Sequence, residues 1–403
     1  MTYDETTFRR TEEPTTDPAA YRANTLAASE QRRRAEELES ADATADMRQD
    51  DGRDRLGIHL GWEVVLLLAA GAFGFLLWRL DSAAFQRPAL DTLLITGAAV
   101  GLLALGAGLT LRAGAPNLAL GPIALAASLH YAEQGDLGLL KAAVPALIIA
   151  AAGGLVVGLL IVVLHVPGWA ATLAAALGVI VYDQLRVAPV AVQGEYDPTK
   201  QAFFLFGGFA LLAVLGGALG TVSPVRRWLG GMRPTGDPAR RRGAGVALPV
   251  VGTLVLSSVF AVGAGILMAA QAKGPIVPGT GLEWTGIALG LAMLAGTSAY
   301  GRRGGMFGTL FAVAAFTLYL DWSERKNLDI ALFATAGAVL GGGLIVTRLV
   351  ESFGRPLPPA GEDWNAAATT AATNWTPDLE NWTPATTASR TDRWDDGPWG
   401  SAR

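Results

Sequence analysis

Ten long apolar stretches dominate this chain, and they constrain its fold more than any other feature. They occupy residues 62–80, 92–111, 117–132, 142–164, 166–182, 202–225, 247–272, 284–300, 304–320 and 328–347. A helix that crosses a bilayer needs roughly 20 apolar residues, with about 17 as the short limit. Backbone N–H and C=O groups cannot remain unpaired in hydrocarbon, and these runs are far longer than the strands of a membrane barrel. They are therefore expected to be helices. The reading is an all-α, polytopic membrane protein of about ten transmembrane helices. Glycines and alanines at close spacing, such as Gly153, Gly154 and Gly158 or Gly341, Gly342 and Gly343, would let helix backbones approach one another.

The charged residues fall mostly outside these runs, so the net charge of -4 over 403 residues says little. Residues 1–57 are polar and rich in Arg and Glu and are expected to form a disordered cytoplasmic tail. They contain no apolar h-region of a signal peptide, so targeting is expected from the first membrane helix. Residues 58–350 form the transmembrane domain. Residues 351–403 are expected to form a second disordered tail, rich in Trp, Thr and Pro, with Asn374-Trp375-Thr376 echoed seven residues later by Asn381-Trp382-Thr383. This repeat suits either a docking segment or drift in a free tail.

Arginine placement sets the orientation. The loop RRWLGGMRPTGDPARRRGAGV, residues 226–246, carries six arginines against the single acid Asp237. With the N-terminus inside, it falls on the cytoplasmic side together with Arg112, Arg302 and Arg303. The opposite connections carry Glu133, Asp136, Asp183, Glu195, Asp197, Asp321 and Glu324. Both termini are thus expected in the cytoplasm of a multi-pass plasma-membrane protein.

Two runs are short and interrupted by small or helix-breaking residues: 117–132, with Gly121 and Pro122, and 284–300, with Gly286 and Gly290. Aligned in parallel, residues 117–125 (NLALGPIAL) and 281–289 (GLEWTGIAL) agree at four of nine positions. They begin the third and eighth runs, so two five-helix halves would have opposite topology, a weak inverted repeat. Short, broken segments at matching places in inverted halves point to a transport path. Asn117, Gly121 and Glu283 are its candidate markers, with an interfacial cap as the other role open to Asn117 and Glu283.

Catalytic and metal-binding chemistry finds little support. The chain has no cysteine, which excludes disulfides, Cys-ligated metals and iron–sulfur clusters. His59, His130 and His165 lie far apart at expected helix ends. The glycine-rich 301–305 lacks the lysine of a phosphate loop. No catalytic residue, metal, cofactor or nucleic-acid partner is expected. Nearly charge-free spans argue against an intramembrane enzyme or a proton-coupled carrier.

With these residues in view, the chain resembles the permease subunits of the ribose/monosaccharide and branched-chain amino acid branch of ABC importers. The segments that carry the resemblance are ITGAAVGLLALGAGLTLRAGAPNLALGPIALAAS (95–128), GLVVGLLIVVLHVPGWAATLAAALG (154–178), Gly236-Asp237-Pro238-Ala239-Arg240 and GLEWTGIALGLAMLAGTSAYGRRGGMFGTL (281–310). Their order spans roughly residues 60–350. The resemblance implies a dimeric membrane domain with a second permease subunit, identical or different. Two ATP-binding cassette subunits would sit beneath it and an extracytoplasmic solute-binding protein above, all in membrane lipid.

It also implies that hydrolysis belongs to the cassettes, and that Gly236, Asp237, Pro238, Ala239 and Arg240 form the coupling segment. Thr235, Gly236 or Asp237 can cap a short helix there with Pro238 at its first position. Thr297 and Ser298, within the Gly-Thr-Ser motif, join the candidate path. The expected function is ATP-driven import of a small polar solute such as a monosaccharide. A secondary transporter or a non-transporting membrane scaffold is the alternative.

The sequence departs from the family at Ile161-Val162, at Asn117-Leu118-Ala119 and at the 318–322 segment, where apolar groups replace polar ones, and it lacks the usual Trp-Gln before the last helix. The identity of the solute is therefore open, and a degenerate partner in a heterodimer is a further possibility.

Overall fold

The computed structural model describes residues 56–222, 225, 244–298 and 305–354. The two tails, Gly236–Arg240 in the central loop, Arg302 and Arg303 lie outside these residues. Among the described residues the architecture is all-helical, and each of the ten apolar runs contains one α-helix. We number them α1 (Leu56–Leu80), α2 (Ala89–Arg112), α3 (Leu120–Gln134), α4 (Leu139–Val163), α5 (Gly168–Gln184), α6 (Ala202–Thr221), α7 (Ala244–Ala270), α8 (Leu282–Leu294), α9 (Gly308–Arg325) and α10 (Leu332–Gly354). One isolated antiparallel bridge joins Val190 to Ile276. It ties the loop after α5 to the loop before α8.

Six of these helices, α1, α2, α4, α6, α7 and α10, are long and apolar enough to cross a membrane. They fit a multi-pass membrane protein, whereas the sequence leads to an expectation of about ten spans. The other four are shorter or more polar. At a rise of 1.5 Å per residue, the 15 residues of α3 and 13 of α8 reach only about 22 and 20 Å, against a hydrocarbon core about 30 Å thick. Helix α8 stops at Leu294, six residues before its apolar run ends, because Gly296 turns the chain with φ 92° and its N–H bonds back to Met293. Helix α9 runs past its apolar segment to Arg325, which bonds Asp321 one turn earlier and Asp81 in the loop after α1.

The centre of the bundle is α2 and α7. Of the most apolar window in each span, 61% of α2 and 56% of α7 is buried, against 17% of α4. Helix α7 packs on α2, α3 and α4, while α8 packs on α2, α3 and α10. Ile95, Ala99, Leu103 and Ala107 of α2 meet Ala261, Ala264 and Leu267 of α7 and Ala288 and Ala292 of α8 in one core cluster. Alanine dominates this seam because small side chains allow close helix approach, while lipid itself gives no hydrophobic drive to associate.

Helix α1 binds the far side of the bundle through two polar contacts. Trp62 Nε1 donates to the Leu294 carbonyl at 2.6 Å, and Glu63 Oε1 accepts from the N–H groups of Phe307 and Gly308 at 2.7 and 3.1 Å. Glu63 thereby caps α9 from another helix, satisfying N–H groups that have no partner within α9. It is 4% exposed, so a substitution strands buried donors. Glu63→Ala is expected to lower stability by about 2–4 kcal/mol and Glu63→Gln, which keeps an acceptor, by roughly half that, as read by thermal unfolding in nanodiscs.

Candidate functional site

The candidate site is built where the two short helices begin. After α2 the chain does not continue as a helix but re-enters the bundle as the non-helical segment 113–119, in which Ala113, Ala115, Asn117 and Ala119 are buried. Irregular backbone at membrane depth is tolerated only where protein covers it or a cavity meets it, and here side chains supply the missing bonds. Thr110 Oγ1 accepts from the Asn117 N–H at 3.2 Å. Asn117 Oδ1 accepts from the Ala119 N–H at 3.0 Å, and Asn117 Nδ2 donates to Ser257 Oγ of α7 at 2.9 Å. Asn117 therefore fastens the re-entrant segment to the central helix.

The segment leads directly into a crossing with the start of α8. The Gly121 N–H donates to Thr285 Oγ1 at 2.9 Å, and that hydroxyl donates to the Leu118 carbonyl at 3.2 Å. Gly281, the N-cap of α8, has φ 67°, a left-handed conformation in which a Cβ is strained. A Cβ there would also lie 2.6 Å from the Gly121 carbonyl oxygen, and one on Gly121 would collide with the Gly281 carbonyl. The two backbones touch because neither residue has a side chain. In the parallel alignment of 117–125 with 281–289, Gly121 stands opposite Thr285.

Asn117 thus leads into the crossing at Gly121, and Glu283 lies in the turn of α8 that precedes Thr285. Glu283 lies in the first turn of α8, half-buried, with Oε2 enclosed and without a hydrogen-bond partner. Thr297 and Ser298 do not join it. They are buried beyond the opposite end of α8, where the Thr297 N–H bonds the Ala292 carbonyl. Sequence reasoning missed Thr285, Ser257 and Glu63, because each acts across a long sequence separation that leaves no local spacing pattern.

Asn117 also borders a cavity of about 390 Å³ between α3, α4, α5 and α7. The other polar groups on its wall are His130, Tyr182 and Ser258, and the remainder is Ala, Gly, Val, Ile and Leu. Near the Tyr182 end, Arg186 stacks on the Tyr182 ring at 4.5 Å and forms a two-bonded pair with Glu133, with Nη2 to Oε2 at 2.7 Å. Glu133 and Arg186 lie beyond the apolar runs of α3 and α5. The hydrogen bonds from Arg186 hold the Glu133 carboxyl below the usual carboxylate range, against the opposing effect of partial burial.

Comparison with family models, with curated proteins and with solved structures finds no match to this chain.

Two outcomes follow from these contacts. Gly281→Ala and Gly121→Ala are each expected to lose at least about 2 kcal/mol of stability, and Thr285→Val about 1–3 kcal/mol, in thermal unfolding of the reconstituted protein. For Glu133 the folded carboxyl ionises at a lower pH than the unfolded one. Its pairing therefore stabilises fully above the unfolded value near 4.3 and is lost as pH falls through the folded value. The melting temperature should drop on acidification below about pH 4.5, and Glu133→Gln should flatten that part of the profile. The effect is on the order of 1 kcal/mol, because solvent screens a partly exposed pair.

Proposed function

We propose that this chain is the membrane-spanning permease subunit of an ABC importer, a transport subunit and not itself an enzyme. It carries a small polar solute, with a monosaccharide as the first substrate class to test, across the plasma membrane by ATP-driven alternating access. The observation that carries this reading is the crossing of the short helices α3 and α8, start against start, at Gly121, Gly281 and Thr285. Broken helices that meet inside a bundle leave backbone groups and helix N-termini at membrane depth, the arrangement from which transport sites are made. In this reading the ten helices form two inverted halves of five, and a solute passing between the two starts must part Gly121 from Thr285.

The remaining components rest on the arginine placement and on the family resemblance of the sequence. The arginine bias puts both termini in the cytoplasm, with the 226–246 loop beside them. Gly236, Asp237, Pro238, Ala239 and Arg240 form the segment through which a cassette subunit drives the helices, and the arginines around it pair with acidic groups on that partner. A second permease subunit completes the membrane domain, and a solute-binding protein delivers the substrate from outside.

The test is co-purification. Replacing residues 237–240 with Gly and Ser should reduce recovery of the cassette subunit several-fold while membrane insertion is unchanged. Equal recovery would remove the coupling role. A reporter fusion that places the C-terminus outside would reverse the orientation and favour a secondary transporter or a scaffold.

A further inference from the structure

One carboxyl at the end of α5 is buried with nothing to hold it. The buried residues of α5 form a single stripe, Thr172, Ala176, Ile180 and Asp183. The stripe faces α3: at its start Thr172 Oγ1 donates to the Pro116 carbonyl at 2.7 Å, and just past its end Arg186 reaches Glu133. Asp183 is 0% exposed, and neither carboxyl oxygen has a hydrogen-bond partner among the described residues. An ionised carboxylate enclosed without a donor is far costlier than a neutral one, so this conformation favours the protonated side chain. Burial pushes the carboxyl up to about 7, against the pull of the Arg186 guanidinium. Asp183 lies one residue past the apolar run of α5, and the exposed Gln184 and Leu185 follow it.

The donor it lacks is one helical turn away and already committed. Arg186 follows Asp183 at i+3, where side chains on a helix are neighbours, and its backbone N–H returns to the Asp183 carbonyl at 3.4 Å. Its guanidinium gives Nε and Nη2 to Glu133, Nη2 also to the Tyr182 hydroxyl at 3.0 Å, and Nη1 to the Tyr182 carbonyl at 3.1 Å. None of these bonds goes to Asp183. The Glu133 pair clasps α5 to α3, and beyond it the chain crosses the end of α3 as a strap. There the Gln193 N–H donates to the Ala132 carbonyl at 3.0 Å, and Val190 bridges to Ile276. The other titratable groups that α3 and α4 bring to this end are His130, Tyr131 and the exposed Lys141, with Glu195 and Asp197 exposed in the strap. Arg186 is the charged group that acts on the Asp183 carboxyl.

We propose that Asp183 and Glu133 compete for Arg186, and that a single proton on Asp183 decides between them. With Asp183 neutral, Arg186 stays on Glu133 and holds α5 to α3. When Asp183 gives its proton to water, the buried anion draws the guanidinium back one turn, the Glu133 pair breaks and the strap loses its root. The clasped state holds a proton that the released state has lost, so raising the pH favours release. Glu133 sets the opposite limit, because its protonation at acid pH also ends the pair. The clasp is therefore closed in a window bounded below by Glu133 and above by Asp183.

The test uses the full-length protein in nanodiscs, with spin labels on Gln134→Cys at the end of α3 and Ala188→Cys in the strap. Both positions are exposed, and the chain has no native cysteine. Double electron–electron resonance reads the distance between them. From about pH 5.5 to about pH 8.5 the short-distance population should fall at least about three-fold, with a midpoint at about 7. Asp183→Asn, neutral at every pH and nearly the same shape, should stay clasped throughout. Glu133→Gln leaves Arg186 to Asp183 and should lower the midpoint by at least about one pH unit. A distance that does not respond to pH would overturn the proposal, as would the same response in Asp183→Asn. If Asp183→Asn does not fold, Glu133→Gln decides, and an unmoved midpoint overturns the proposal. The readout does not require transport, so it stands or falls apart from the permease reading.

Discussion

The structure depends on one constraint: a peptide group in hydrocarbon must find its hydrogen-bond partner within the protein. Eight of the ten helices among the described residues meet it chiefly by ordinary i→i−4 bonding. At the starts of α3 and α8 the helix is interrupted, and partners must come from elsewhere. Thr285 Oγ1 serves the Gly121 N–H and the Leu118 carbonyl together, and Asn117 bonds both its own segment and Ser257. Two short helices can exist inside the bundle because these side chains replace the bonds a continuous helix would have made. Their closeness in turn requires Gly121 and Gly281, since a Cβ on either meets the other's backbone.

Much of this was legible in the sequence, for physical reasons that vary from element to element. Hydropathy alone located the ten helices among the described residues, of which six are long and apolar enough to cross a membrane. The short runs at 117–132 and 284–300 stood out because Gly and Pro interrupt them, and the helices they form meet where Gly121 bonds Thr285. The sequence left Asn117 as a path marker or an interfacial cap and did not show that it fastens its segment to α7. The fastening partner is Ser257, 140 residues away. Glu63 was hidden for the same reason: as one acid in an apolar run it resembles an interfacial charge, and its role as the cap of α9 emerges only when α1 packs beside residues 307 and 308. The end of α8 was misplaced because alanine and methionine carry the hydropathy up to Gly296, where backbone geometry ends the helix.

The polar residues sort into three levels along the bundle. Trp62 and Glu63 hold the turn beyond α8 to α1. Asn117, Ser257 and Thr285 secure the middle. Arg186, Glu133 and Tyr182 cover the end of α3. The middle level contains the interrupted backbone at the starts of α3 and α8, while the turn that ends α8 lies at the level of Trp62 and Glu63. A permease built on this frame would move by parting the α3 and α8 starts, while α2 and α7, the most buried spans, remain as its pivot.

The most direct measurement uses the absence of native cysteine. Single substitutions Asn117→Cys and Glu283→Cys, in vesicles containing the assembled transporter, are exposed to a water-soluble, membrane-impermeant thiol reagent with and without ATP trapping. The account predicts that both positions react and that trapping changes their rates several-fold in opposite directions, as access passes from one side of the crossing to the other. Residues that stay unreactive in every state, in protein that folds and assembles normally, would show that the crossing is a static joint and would contradict the transport reading.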